Sequence, residues 1–310
     1  MGKPILKAHL ALFTVNALYG ASHIIAKGVM PNYITPNVFI FLRVLGATIL
    51  FWIVKLLFVR EKVKRKDILL LAICGVFGVA VNQLFFFNGL NLSSSINSGI
   101  IMTLNPIIVV VLSFFILKES LSSWRTIGII IGTIGAVMLT LSSGNLKGDA
   151  FLGDMFLFIN ATSYALYLVL VKPLMKKYKP LTVITYVFTF GLLYVMLYPP
   201  TLSELAQMNF EVLPLMVVLK IIFVIVFVTF ITYLLTVYAL KLISPTVSSS
   251  YIYLQPILVI LFAFLFYKIG ISEDYTGSIT LQKLLYMAFI FLGVYITSTS
   301  SFVKSKQQIK

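Results

Sequence analysis

The chain has 310 residues, of which 60% are hydrophobic and 11% charged, and it carries a formal charge of +15. So few polar side chains could not cover a soluble globule of this size, so the composition excludes an ordinary water-soluble fold and makes the bilayer the fitting solvent. One cysteine, two histidines and nine carboxylates exclude a disulfide framework and leave little for a metal centre.

A helix crosses hydrocarbon with about 20 mostly apolar residues, because its backbone must satisfy its own hydrogen bonds there. Ten stretches read as spans: 8–29, 36–59, 67–90, 94–117, 124–143, 152–172, 181–198, 213–240, 245–267 and 281–303. The first has full transmembrane length and returns in the repeat described below, which argues against a cleavable signal. The third and fourth are separated only by the Gly- and Ser-containing run 88–95, and those residues favour a break.

The breaks alternate in charge. One set holds seventeen Lys and Arg: Lys3 and Lys7, five within 60–66, Lys118 and Arg125, four within 172–179, Lys241, and Lys304, Lys306 and Lys310. The opposite set holds three: Lys147, Lys268 and Lys283. By the positive-inside rule both termini are cytoplasmic, which requires an even number of spans in a plasma or inner membrane. The positive charge then belongs to topology and to contact with an anionic inner leaflet. Nucleic acid as a partner is disfavoured, because the basic residues are spread over six short segments.

An internal repeat runs through the chain. Shifted by 145, Tyr19 falls on Tyr164, Lys27 on Lys172 and Gly46 on Gly191; shifted by 150, Leu104-Asn105-Pro106 falls on Leu254-Gln255-Pro256. Each half therefore places a proline in the middle of its fourth span, behind an amide side chain, and an odd number of spans per half makes the halves face opposite ways. The expected fold is all-α integral membrane, with ten transmembrane helices as two inverted-topology five-helix repeats at 1–148 and 149–310. Inverted repeats are a hallmark of carriers with a midplane site and alternating access. Pro106 and Pro256 are hinge candidates, since each removes a backbone donor; a static kink is the blander reading of either alone.

The segment Leu18-Tyr-Gly-Ala-Ser-His-Ile-Ile-Ala-Lys27, Arg43 after Pro36, Gly89-Leu90 leading to Ser94-Ser95, and Leu117-Lys-Glu-Ser-Leu121 before Gly128, Gly132 and Gly135 give the chain a family likeness. With the duplicated prolines, this order resembles the EamA family of the drug/metabolite transporter superfamily, from residue 8 to residue 302. The resemblance implies a plasma-membrane carrier of small organic metabolites and leaves its cargo open. The chain departs from the pattern where Tyr267-Lys-Ile-Gly270 lacks an acid equivalent to Glu119, and where about eight extra residues precede the last span.

Polar side chains within the spans mark the candidate cargo site, because hydrocarbon forces them toward the bundle interior or a wet cavity. Asn16, Tyr19, His23 and Lys27 recur at steps of 3, 4 and 4 on one stripe of the first span. Asn160, Tyr164 and Tyr167 form its counterpart on the sixth, and the two stripes should wall one cavity. Asn82, Gln83, Thr103, Asn105, Tyr251 and Gln255 complete the set. Amides, hydroxyls and cations without acids suit a carboxylate or zwitterion better than a lone cation.

Each residue also has a plainer reading. Single amides commonly join helices. Lys55 and Lys220 are read as snorkelling to headgroups, while for Lys27 snorkelling and a place in the cavity weigh evenly. Arg43 lies about 10 Å into its helix. It either clamps a carboxylate or pins helix-end carbonyls, and the pin is slightly preferred. The Gly128, Gly132 and Gly135 face is read as helix packing, with contact between copies of a homodimer as the alternative to a monomer.

Every acid falls in a loop or at a helix boundary, and His23 is taken as the sole titratable group in a span with a reference pKa near neutrality. Facilitated or exchange transport of amino acids or related carboxylates, in the export direction, is thus preferred to proton-linked efflux through His23, and cation efflux ranks lower. A membrane enzyme lacks a visible nucleophile, metal cluster or acid pair, and a channel lacks a pore loop or ring of charges. No cofactor is expected.

Overall fold

A computed structural model of the chain describes residues 3–27, 29–30, 33–92, 101–102, 104–119, 122–142, 151–210, 213–268 and 281–307. All regular structure among them is helical. In chain order the helices are α1 (Lys3–Lys27), α2 (Pro36–Phe58), α3 (Arg65–Gly75, a π-helical turn at Val76–Ala80, then Val81–Leu92), α4 (Asn105–Leu117), α5 (Ser123–Ser142), α6 (Phe151–Lys177) and α7 (Pro180–Leu197). There follow a short α8 (Pro199–Gln207), α9 (Leu215–Phe223, a π-helical stretch at Val224–Ile231, then Thr232–Leu242), α10 (Pro245–Ser250, a 3-10 turn at Tyr251–Leu254, then Gln255–Lys268) and α11 (Leu281–Gln307).

Local chemistry explains several starts. Thr35 and Ser244 cap α2 and α10 through bonds from Val38 N and Val247 N, each 3.4 Å, and a proline follows each cap in the first turn, where no N–H is required. Five described segments are long and apolar enough to cross a membrane: Pro36–Phe58, Arg65–Gly89, Phe151–Lys177, Pro180–Leu197 and Leu215–Leu242. Their outward residues are apolar too: Leu57, Phe58, Leu197 and Leu215 are 71–75% exposed, as a lipid-facing surface demands.

Helix packing follows a paired scheme. α2 lies on α7, α5 on α11, α1 on α9 and α10, and α6 on α3 and α4. The two π-helical stretches sit where α2 and α7 cross their neighbours. A Cβ on Gly46 would lie 2.7 Å from Ile225 in the α9 stretch, and one on Gly191 would lie 2.5 Å from Val79 in the α3 turn. A π turn breaks the regular i to i−4 ladder and frees carbonyls. In α3, Phe77 O accepts from Ser163 Oγ at 2.7 Å and Gly78 O from the Tyr233 hydroxyl at 3.1 Å.

Two expectations change here. Pro106 does not interrupt a continuous helix: it occupies the second position of the segment that starts at Asn105, where a missing N–H costs nothing, whereas Pro256 lies midway along α10, directly after its 3-10 turn. Lys55 does not snorkel; it is 7% exposed and its Nζ lies over Trp52 and Tyr186 at 5.1 and 5.7 Å from the ring centroids. The glycine face of α5, read as a packing surface, does pack within the chain, with Gly128 against Thr297, Gly135 against Ile290 and Gly132 against Tyr253.

Candidate functional site

Arg43 stands at the centre of the described interior. It is 5% exposed, its Nε donates to Thr229 Oγ1 at 3.2 Å, and its guanidinium carbon lies 5.5 Å from the Phe39 ring centroid and 5.0 Å from that of Phe87. The helix-end carbonyl bond expected of a pin is replaced by this side-chain bond to the π-helical stretch of α9. Thr229 is free to receive it because its own proton goes to Val224 O at 2.8 Å, across the wider turn.

Tyrosines surround this charge. Tyr19 on α1 interacts with Arg43 and with the Thr232 hydroxyl, and Tyr233 on α9 lies within electrostatic reach of both Arg43 and Tyr19. Tyr164 on α6 lies within electrostatic reach of Tyr19 and Tyr233 and beside Thr236. Tyr167 is fully buried, with its ring against Gly78, where a Cβ would come within 2.4 Å. The ring centroids of Tyr164 and Tyr167 are 6.1 Å apart. Gln83 Nε2 donates to the Tyr233 hydroxyl at 3.1 Å. Tyr19 and Tyr164, one from each of the two stripes inferred from helical spacing, lie within electrostatic reach of each other.

Other candidates are engaged in helix contacts. Gln255 Nε2 donates to Asn16 Oδ1 at 3.0 Å, and Asn16 Nδ2 to Leu12 O at 2.7 Å, which joins α10 to α1. Asn105 Nδ2 donates to Ala161 O at 2.7 Å, joining α4 to α6. Asn160 Nδ2 donates to Asn82 O at 2.6 Å, and the Asn82 side chain itself is half-buried. Tyr251 lies in a separate apolar cluster and meets His9 Nδ1 at 2.7 Å. The backbone of His23 and Lys27 is in α1, but their side chains lie outside the described residues, as does Thr103.

His9 corrects the reading of His23 as the sole titratable group of its kind within a span. It lies in the same helix, is 7% exposed, and its ring faces Tyr251 at 5.9 Å. Sequence reasoning also missed Phe39, Phe87, Thr229, Thr232 and Tyr233. A signal existed for the last three: Thr229, Thr232, Tyr233 and Thr236 form a polar stripe at helical spacing inside an otherwise apolar segment.

Charged contacts gather instead near helix ends. Asp67 accepts from Lys177 Nζ at 2.6 Å and from the Tyr178 hydroxyl at 2.7 Å. Glu119 accepts from Thr246 Oγ1 at 3.3 Å and pairs with Arg125 at 3.8 Å, while Lys172 Nζ donates to the Leu240 and Ile243 carbonyls. No group of three or more His, Cys, Asp or Glu among the described residues could hold a metal ion.

A model of the EamA-like transporter family matches the chain twice, over residues 6–141 and 151–299. An uncharacterized transporter of Archaeoglobus fulgidus is 26% identical over 86% of this chain and 89% of its own. The uncharacterized transporter YyaM of Bacillus subtilis is 30% identical over 43% of this chain, and the match spans only 45% of its length. YetK of the same organism is 26% identical over 68% of this chain and 64% of its own. A solved crystal structure superposes with a TM-score of 0.70 at 17% identity, over 93% of this chain and 95% of that one, a likeness of fold.

Proposed function

Because the chain belongs to the EamA-like transporter family, we propose that it is a secondary, non-ATP carrier of small organic metabolites, with amino acids and related carboxylates as cargo. Transport runs by alternating access, as facilitated or exchange flux in the export direction. Ten spans cross the cell membrane, both termini are cytoplasmic, and residues 1–148 and 149–310 form two halves of opposite orientation.

One observation carries this reading. The discontinuities recur at equivalent places in both halves: π-helical stretches in α3 and α9, restarted helices at Asn105 and Gln255, and an amide from each restart bonded to α6 or α1. Asn16 and Ala161, the two acceptors, are themselves equivalent under the 145-residue shift. Broken helices placed this way are how inverted-repeat carriers build a midplane site and let one half rock against the other. The choice of an anionic or zwitterionic cargo rests on Arg43 and its tyrosines, which supply positive charge and donors and no acid.

Reconstitution into proteoliposomes tests the proposal. Flux of labelled amino acids and organic acids should saturate with concentration. Ohmic current would replace the carrier with a channel, and chemical change of the solute would replace it with an enzyme.

A further inference from the structure

Two buried groups of the central cluster have opposite and unmet demands. Arg43 makes one hydrogen bond, to Thr229, and lies over two phenylalanine faces, which offset part of its charge. The ion pairs among the described residues, Arg125 with Glu119 and Lys177 with Asp67, lie elsewhere. A guanidinium has five N–H donors in a planar fork, and one bond to a hydroxyl leaves most of that fork without an acceptor.

Gln83, 4% exposed, presents the reverse. The Tyr233 hydroxyl donates to Gly78 O, and a carbonyl only accepts, so the single phenolic proton is committed there. In the contact between Tyr233 and Gln83 the amide must therefore be the donor, through Nε2. That fixes the amide orientation and leaves Oε1 as an acceptor. Gln83 Oε1 is buried and receives no hydrogen bond from any described residue. Tyr233 ties the two demands together, being bonded to Gln83 and within electrostatic reach of Arg43.

We infer that Arg43 and Gln83 are the two poles of one zwitterion site: the guanidinium takes a carboxylate on paired N–H donors, and Gln83 Oε1 takes an ammonium N–H, so the cargo is an α-amino acid. The inference rests on the carrier reading and narrows its cargo from carboxylates in general to those with an ammonium group beside the carboxylate. A simple carboxylic acid leaves Gln83 Oε1 unmet. An amine without a carboxylate brings like charge to Arg43. A site with buried polar groups rejects an analogue that lacks the matching group, because its own atoms are then stranded.

The test uses the full chain in proteoliposomes, with each proteinogenic L-amino acid as labelled solute. For every one taken up saturably, its carboxamide and its deaminated acid are added as competitors; for leucine these are leucinamide and 4-methylpentanoate. Each analogue should compete at least about tenfold more weakly than the parent amino acid. Gln83→Leu should bring the amino acid and its deaminated acid to within about twofold while the carboxamide stays excluded. Arg43→Lys, which keeps the charge and loses the fork, should weaken uptake and retain preference over the carboxamide. Equal competition by all three compounds in the unmodified protein overturns the inference without any variant. Saturable transport of other solutes but of no amino acid overturns it too and leaves the carrier standing. Absence of saturable flux for every solute removes both.

Discussion

Glu119 ties the segment after α4 to the second half of the chain through Thr246 and lies close to Lys172. Burial pushes its carboxyl above the ordinary range, against the opposing pull of Arg125, the Thr246 hydroxyl and Lys172. A carboxylate whose folded pKa is raised adds stability when protonated, and loses that contribution as pH rises through the folded value. Glu119→Gln imitates the protonated side chain and does not titrate. The melting temperature of the variant should therefore gain on that of the parent protein in detergent between about pH 4 and about pH 7. A gap that narrows over this range would contradict the assigned sign.

At the same scale, the site was legible where a residue type is costly in hydrocarbon. A lone arginine inside 36–59 stands out on charge alone, and Tyr19 and Tyr164 stand out once the repeat aligns them. Tyr233 stands out only as part of the polar stripe with Thr229, Thr232 and Thr236; alone in a segment as apolar as 213–240 it reads as bulk, and the structure adds that its hydroxyl lies between Gly78 and Gln83. Asn16, Asn105, Asn160 and Gln255 are the converse: their polarity marked them correctly as inward, and it takes the structure to see that their bonds join helices.

Helices in this protein approach one another through glycine, and the cost of filling that space depends on what stands opposite. A Cβ on Gly293 would lie 2.5 Å from Gly132 N and 2.6 Å from Gly128 O, which are backbone atoms with no freedom to retreat. On Gly46 it would meet only side-chain atoms of Ile225, 2.7 Å from Cγ2 and 3.1 Å from Cδ1, and no backbone. Gly293→Ala should destabilise the folded protein by about 1–3 kcal/mol and Gly46→Ala by less. Denaturation in mixed micelles checks this, and the opposite order would show that α5 and α11 are not packed as described.

Helix positions were legible because span length is dictated by the bilayer: the expected bounds 36–59 and 181–198 match α2 and α7 to within a residue. The π-helical stretches were not. Nothing in Val76–Ala80 or Val224–Ile231 distinguishes them from ordinary apolar helix; they arise where Gly191 and Gly46 bring a second helix against the turn. The prolines were legible only in part, for a related reason. A proline marks a discontinuity, but sequence does not say whether a helix bends there or starts afresh.

Seen whole, the protein is two similar halves whose contacts mirror each other. Glu204, beyond α7, accepts from Asn37 at 2.7 Å at the start of α2, and Glu61, beyond α2, accepts from Lys179 N at 3.0 Å at the start of α7. If the halves are inverted, these two clasps lie at opposite faces of the membrane, and opening one while holding the other is what alternating access requires. The central claim is thus that equivalent positions face opposite sides.

Lys62 and Ser203 lie in corresponding segments, each following the second span of its half, both exposed and each next to its clasp glutamate. Cys74 is the sole cysteine and is buried, so Cys74→Ala provides a clean background for single cysteines at either position. In intact cells a membrane-impermeant thiol reagent should label cysteine at 203 and spare cysteine at 62 until the membrane is opened, as the Lys and Arg distribution dictates. Equal labelling of both from outside would contradict the inverted architecture, and with it the carrier built on that architecture.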